Sequence, residues 1–409
     1  MRKVDVAIVG GGMVGASLAL ALSGTGREVL LIEGVTPGSA AQPSFDDRST
    51  ALGNASRRIF EGLSVWRALE PDATAIRTIH VSDAGRFGFA RLNATEQGIE
   101  AFGYIIPNRC IGAALWAKLA QAQSITKGIT LRVPARPESV EVATDGVRLT
   151  VVSDRGPAEA IEARLVVAAD GAHSSVRAAA GIGADVEDYD QVAMVANLRT
   201  DRPNDGTAYE RFTQAGPLAL LPARDGGYGV VWSTAPTEAA RVLALSDEEF
   251  LRELQTRFGW RAGAFTRVGK RASYPLKLSR ATTTVATRAV LIGNAAQALH
   301  PVAGQGFNLG LRDAAMLAEV LAAPDIDDPG SAAVLARFEA WRGGDRTGVI
   351  RFTDGLIKLF GDTRPGVGLA RNVGLLLFDL APPAKSALAR VSAGFAGPSP
   401  RLARGLAVR

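Results

Sequence analysis

The chain of 409 residues is poor in several residue types, and each shortage excludes a class of function. A single cysteine, Cys110, allows no internal disulfide and no cysteine-based metal centre. Its simplest role is that of a small buried side chain. Three histidines leave little for a histidine cluster, so no metal site is expected. Lysine is scarce, with 7 residues against 39 arginines, and no basic block carries interleaved aromatics. Nucleic acid is therefore not an expected partner. Repeats and long low-complexity linkers are also missing. What remains is the composition of a globular protein, 47% hydrophobic and 21% charged, long enough for two to three domains. Glycine is plentiful at 45 residues, without a collagen period.

Residues 6–26 carry no charge, follow Arg2 and Lys3, and include Ala19-Leu20-Ala21, which imitates a signal-peptidase site. A secretory signal or a membrane span fits the hydropathy. It does not explain Asp5, nor the crowding of Gly10, Gly11, Gly12 and Gly15 in the first half. A βαβ unit explains all of them: a buried strand over 4–9, a turn over 10–15, a helix over 14–22 and a strand over 28–32. Gly10, Gly12 and Gly15 then form G-x-G-x-x-G, with Glu33 placed 23 residues after Gly10. The first glycine makes the tight turn, the second lets a pyrophosphate approach, and the third lets helix and strand pack closely. Glu33 suits a ribose 2′-hydroxyl. A dinucleotide-binding unit is expected, with neither a cleaved signal nor a span.

Further along, helices are expected over 56–69 and 111–122, and a hairpin over 140–144 and 147–151 around Asp145-Gly146. A strand over 163–169 runs into Asp170-Gly171. From 189 to about 279 the texture changes to strand-like segments at 192–198, 208–213, 218–221 and 228–233, interrupted by one helix at 247–258. The chain re-enters the first domain at 288–293 and is mostly helical from 309 onward. The fold class read from this order is α/β: a Rossmann-type domain over 1–75, 100–185 and 280–340, an inserted mostly antiparallel β domain over 76–99 and 186–279, and a helical region over 341–409.

Three more segments accompany the first motif. Phe45-Asp46-Asp47-Arg48 places an arginine that can reach a cofactor or simply close a loop ion pair. Asp170-Gly171-Ala172-His173 ends a strand and opens a helix, as a site or as an ordinary turn. Gly293-Asn294 is followed by His300-Pro301 and the loop Gly304-Gln305-Gly306-Phe307-Asn308, which opens a helix whose positive end can stabilise an anionic ring. No lysine follows these glycines, which excludes a triphosphate-binding loop.

At these residues the sequence resembles the flavoprotein aromatic hydroxylases with a single FAD domain, most of all the 2-polyprenyl-6-methoxyphenol hydroxylases of ubiquinone biosynthesis. The resemblance spans essentially the whole chain and is most specific over 291–313. The wider superfamily carries Gly-Asp where this chain has Gly293-Asn294, and asparagine there resembles the ubiquinone branch. The resemblance implies that Gly10, Gly12, Met13, Val14 and Gly15 hold the FAD pyrophosphate and Glu33 its ribose. It places Arg48, Arg109 and Val133 along the cofactor, Asp170 near FAD and the approaching NAD(P)H, Asn294 on the ribityl chain, and Gly304, Gln305, Gly306, Phe307 and Asn308 at the flavin edge. In such a family NAD(P)H is a transient reductant and O2 the co-substrate, and a flavin hydroperoxide hydroxylates a phenol ring. No second dinucleotide motif on a strand argues for a resident NAD(P)H domain. Phe212, Leu218, Leu220, Pro222, Val230 and Trp232 are candidates for the substrate wall, or equally for sheet core. His300 and Pro301 are the catalytic candidates, with packing of the His-Pro turn as the plainer role.

Residues 341–409 hold 11 Lys/Arg and 4 Asp, so this tail is +7 while the other 340 residues sum to −2. Two readings stand: a solvated face of packed helices, or contact with anionic lipid or with a partner assembly of ubiquinone biosynthesis that delivers the polyprenylated phenol. The lipid reading places the contact at Arg401, Arg404 and Arg409. The expected location is the cytoplasm, peripheral to the inner membrane. An FAD-linked dehydrogenase or prenyl reductase, or a non-catalytic FAD-bound subunit of a biosynthetic complex, shares the same cofactor motifs.

Overall fold

The computed structural model describes residues 1–39, 48–126, 128–154, 156–362, 364–395, 397 and 399–408. Phe45, Asp46 and Asp47 of the second motif and Arg409 of the tail lie outside the described residues.

Alternation along the first strand explains the first layer. In Arg2–Val9, Val6 and Ile8 pack to one side of the sheet while Val4, Ala7 and Val9 pack to the other. A strand buried on both faces needs parallel neighbours and covering layers. It pairs in parallel with Val29–Ile32 and with Gly156–Ala168; Ile129–Arg132 and Ala289–Leu291 extend the parallel row outward. The hairpin Arg136–Val142 and Val147–Ser153 continues this sheet antiparallel. Helices Met13–Leu22, Asn108–Ile125 and Gln305–Leu321 supply buried leucines and alanines to the core on one face. The helix expected over 56–69 is two, Asn54–Gly62 and Trp66–Leu69, parted at Ser64 with φ +57.

A second, nine-stranded sheet is built on Ala184–Thr200, which pairs antiparallel with Tyr228–Thr234 and with Ala272–Ala281. Gly216–Pro222 and Thr207–Thr213 follow outward, and Thr207–Thr213 joins Thr78–Asp83 by the sheet's one described parallel pair. Helix Asp247–Phe258, opened by a capping box at Ser246 and Glu249, covers one face with Phe250, Leu254 and Phe258. A further helix, Pro236–Leu243, precedes it where only a strand-to-helix connection was expected.

The helical region begins with Ala332–Gly361, a 30-residue rod joining both sheets. In its first half Arg342 donates to Asp313 of helix Gln305–Leu321 at 2.5 Å, and Arg346 donates to the carbonyls of Ala281 and Ala296. Near its end Phe360 stacks on Phe212 of the second sheet, centroids 3.6 Å apart. Helices Val367–Asp379 and Pro382–Ser392 follow, and residues 402–404 return to pack Leu402 and Ala403 into the first core. No helix among the described residues is long and apolar enough to cross a membrane.

Candidate functional site

One cleft of about 1380 Å³ runs between the two sheets and gathers all three glycine-bearing segments. Its first half is the strand–turn–helix opening. Gly10 stands at φ +102, and a β-carbon there would lie 2.4 Å from the carbonyl oxygen of Ala169. At Gly15 the same atom would lie 2.0 Å from the Gly10 oxygen, so strand and helix touch through glycine. Helix Met13–Leu22 starts at Gly12 without a side-chain cap, leaving first-turn N–H groups for an anionic ligand. Met13 and Val14 line this end. Glu33, buried after the second strand, accepts from Gly11 N–H at 2.6 Å and from Val35 N–H at 2.8 Å. Each carboxylate oxygen keeps lone pairs for a ribose hydroxyl.

Arg48 borders the cleft with its guanidinium 4.5 Å from the Tyr274 ring centroid, and its carbonyl accepts from Asn108 N–H. Arg109 is exposed and does not border the cleft; the neighbouring Asn108 does, buried and accepting from Thr50 Oγ1 at 2.6 Å. Val133 precedes a cis peptide to Pro134 and packs on the first core, while Ala135, Arg136 and Pro137 reach the cleft in its place. Asn108 had no motif to announce it.

Asp170 uses one oxygen to cap the next helix, accepting from Ser175 N–H at 2.8 Å and from Val176 N–H. Its other oxygen is buried without a partner on the cleft side of the structure's second motif. Arg177 ties this motif to the third by donating to the carbonyls of Ala172 and Ala295. Asn294 is exposed to the cleft, Gly293 stands at φ +58 against Val14, and its N–H donates to Asp313. Gly304 (φ +60), Gly306 and Phe307 line the same wall. Gln305 and Asn308 are buried and are not among the lining residues. Asn308 instead forms a four-way clamp: it donates to the carbonyls of Ala51 and Gly304 and accepts from Gly53 N–H and Ser56 Oγ. The residues present fit FAD. A Cβ-free cradle, an uncapped helix start and an unpartnered Asp170 oxygen fall along one groove.

The second half of the cleft is the inner face of the nine-stranded sheet. Register decides which residues form it. Val195, Val231, Ala219 and Glu210 are paired in turn across four strands, and all border the cleft, together with Ala193, Ala208, Leu221 and Ser233. The neighbouring row, Met194, Trp232 and Leu218, points the other way into the core under helix Asp247–Phe258, with Leu220 beside it. Of the six wall candidates read from sequence, only Val230 touches the cleft; Phe212 packs on Phe360 and Val302, and Pro222, paired with the core residue Tyr228, is buried outside the lining. A one-residue step along a strand exchanges the faces, and here Met194, Leu218 and Trp232 face the helix while alanines and valines, with Glu210 and Leu221, face the cleft.

His300 and Pro301 border the cleft between the two halves. His300 Nδ1 accepts from Val302 N–H, so the ring proton sits on Nε2, which is buried without a partner. Burial pushes this imidazole down to about 4. His80, packed edge-on to the cleft-lining Tyr209 and not itself in the lining, is also brought to about 4, by burial first and then by Arg261, Arg91 and Arg211. Between the ordinary 6.5 and about 4 the unfolded chain binds more protons than the folded one, so stability falls as pH falls through that window and levels off below it. Each histidine accounts for about 3 kcal/mol of that loss at 1.36 kcal/mol per pKa unit. Urea unfolding across the window will show a shallower pH slope for His300→Asn than for the parent; equal slopes would refute the assignment.

The model of the family described as FAD binding domain matches residues 3–351. The ubiquinone hydroxylase UbiL of Rhodospirillum rubrum is 38% identical over 411 residues, covering 99% of this chain and 94% of that protein. The 3-demethoxyubiquinol 3-hydroxylase of Escherichia coli is 32% identical over 380 residues, covering 92% and 94%. Among solved structures, p-nitrophenol 4-monooxygenase PnpA of Pseudomonas putida superposes with a TM-score of 0.79 at 19% identity, covering 97% of this chain and 99% of that one, which is a likeness of fold.

Proposed function

The chain belongs to the FAD binding domain family, and from this premise we propose that it is an FAD-dependent monooxygenase that hydroxylates the ring of a polyprenylated phenol in ubiquinone biosynthesis. The observation that carries the reading is the second half of the cleft. It is walled by Ala193, Val195, Ala208, Ala219 and Val231, small apolar side chains, and it is continuous with the cofactor groove. Two buried polar atoms without partners border it, His300 Nε2 and Ser233 Oγ. A phenol presents one polar atom and an apolar body, which is what such a wall can satisfy. The names of the full-length relatives, ubiquinone hydroxylase and 3-demethoxyubiquinol 3-hydroxylase, support the same substrate class.

Bound FAD supplies the redox and oxygen chemistry, with NAD(P)H as transient reductant and O2 as co-substrate. The protein's part is to bind, orient and keep dry. Backbone groups at Gly10, Gly12, Met13, Val14 and Gly15 take the pyrophosphate, and Glu33 the ribose. The unpartnered Asp170 oxygen and Asn294 take hydroxyls along the chain, with Arg48 beside them. The wall at Gly304, Gly306 and Phe307 meets the ring edge, backed by the buried Gln305 and Asn308. His300 Nε2–H donates to the substrate oxygen as a neutral group, and Pro301 fixes its turn. The apolar wall excludes water from the reacting ring.

Oxygen uptake tests this. With a short-chain prenylated phenol, one O2 is consumed per NAD(P)H in coupled turnover and the product gains one oxygen. NAD(P)H oxidation without oxygen incorporation would identify a dehydrogenase or prenyl reductase, and a flavin never reduced would identify a non-catalytic subunit. Ala219→Phe, which fills the slot, raises KM roughly tenfold while flavin content is unchanged, whereas Leu220→Ala, in the core, costs about 2–5 kcal/mol of stability. A Leu220→Ala effect on KM without a stability loss would overturn this division of the strand. The substrate is nearly insoluble in water, which supports a working position at a membrane surface or within a biosynthetic assembly.

A further inference from the structure

Helix Val367–Asp379 is turned inside out. Its polar residues face the protein: Asn372 is fully buried, accepting from Gly88 N–H and donating to Asp83, while Arg371 pairs with the same Asp83 carboxylate at 2.7 Å. Asp379 accepts from Arg91 N–H and meets Lys385. Its outer face is apolar throughout. Leu369 is 59% exposed, Val373 42%, Leu377 63% and the following Leu380 78%, with Ala370 and Gly374 between them. These stand at i, i+4, i+8 and i+11, a stripe of roughly 17 Å at 1.5 Å per residue. Phe87, 59% exposed, belongs to the turn whose Gly88 packs on Asn372. Large exposed apolar stripes mark a contact surface.

Charge and continuity identify the occupant. Arg86 lies against Gly368 at the start of the helix, the exposed Arg91 donates its backbone N–H to Asp379 at its end, and Arg390 is exposed on the next helix. Among the described residues none of the three forms an ion pair. A second copy would bring two such cationic rims together, whereas an anionic bilayer complements them and accepts the stripe. The inner side of the same helices closes the cleft: Phe378 and Leu388 pack in one cluster with the cleft-lining Ile76, Ile79, Ala208 and Leu221.

We propose that the outer face of helix Val367–Asp379, with Phe87 and Leu380, docks on an anionic lipid surface, and that the cleft end lined by Ile76 and Leu221, behind which Phe378 packs, admits the prenyl tail from it. The tail passage rests on the proposed substrate; the docking does not. The site differs from the basic terminus singled out by sequence. Arg401 donates its N–H to Glu319 and its Nε to the Ala407 carbonyl beside the buried Leu402, and the charges of Arg364, Lys358 and Lys385 are paired with acids.

Co-sedimentation of the FAD-loaded protein with phosphatidylglycerol/phosphatidylcholine vesicles tests the docking without turnover. Val373→Asp/Leu377→Asp lowers binding at least roughly tenfold, with flavin content and turnover of a soluble short-chain phenol unchanged; Arg404→Glu leaves vesicle binding unaltered. Unchanged binding in the double variant, or binding lost only in Arg404→Glu, overturns the proposal. So does a parent dimer that the double variant splits while vesicles bind neither. Failure of phenol turnover in the parent with vesicle binding intact would count against the substrate and leave the docking surface standing.

Discussion

Gly15→Val will purify as folded protein without flavin. The β-carbon at residue 15 would stand 2.0 Å from the Gly10 carbonyl oxygen, which is backbone and has no rotamer to yield. Relief requires helix Met13–Leu22 to move off the strand, and that movement withdraws the uncapped first turn from the pyrophosphate. Overpacking of this kind costs about 3 kcal/mol at the upper end, and charged against binding alone that is roughly 100-fold in affinity. Flavin absorbance after gel filtration and titration of apoprotein with FAD measure it. Gly24 lies just past the same helix and has nothing within 4 Å of its would-be β-carbon, so Gly24→Ala serves as the control and retains flavin. Retention by Gly15→Val would disprove the close approach.

Asp313→Ala will be the most destabilising single substitution near the cleft. Asp313 accepts from Arg342 Nε at 2.5 Å, from Gln297 Nε2 at 2.9 Å and from Gly293 N–H at 3.2 Å, and both Asp313 and Arg342 are buried. Arg342 continues to Asp345, which also receives Arg312 at 2.9 Å. Burial opposes ionisation of Asp345, yet the two guanidiniums prevail and hold its carboxyl below the usual range. Removing Asp313 leaves two buried guanidiniums, Arg342 and Arg312, sharing the one carboxylate of Asp345, and frees the Gly293 turn on which Asn294 sits. Loss of one partner of a buried pair costs about 3–5 kcal/mol, while replacing both by apolar groups is far milder. Asp313→Ala/Arg342→Met is therefore more stable than Asp313→Ala in urea unfolding. The reverse order would show that the pair is not coupled.

Much of the first half of the site is legible in sequence because the cofactor is met by backbone. Glycine spacing and Glu33 report backbone geometry, and the strand and helix limits fall within a residue or two of those read around the motif. The helix over 247–258 is recovered to the residue because Ser246 and Glu249 announce its cap. The substrate wall is a different case. A half-buried strand between a helix and a cleft has two apolar faces, and hydrophobicity cannot say which faces the ligand. Large residues such as Trp232 attract attention, yet a cavity needs small ones, and Ala219 carries no signal. Asn108 is hidden for another reason: its partner Thr50 is 58 residues away and the pair exists only in the folded chain. The tail's charge is a sum that the fold divides: Arg342 is buried on Asp313, whereas Arg351, Arg364, Arg390 and Arg404 are exposed.

The long rod Ala332–Gly361 contains Gly343, Gly344, Gly348, Gly355 and Gly361, and no neighbour stands within 4 Å of a β-carbon at any of them. Packing does not require these glycines, and each interior one lowers helix propensity by about 1 kcal/mol. The rod is held at Arg342 and Arg346 on the flavin side and at Phe360 on the substrate sheet, with Gly348 and Gly355 between. The stretch from Arg346 to Phe360 therefore bridges the two sheets with two glycines that packing does not demand, and its length sets how far apart the anchored ends stand.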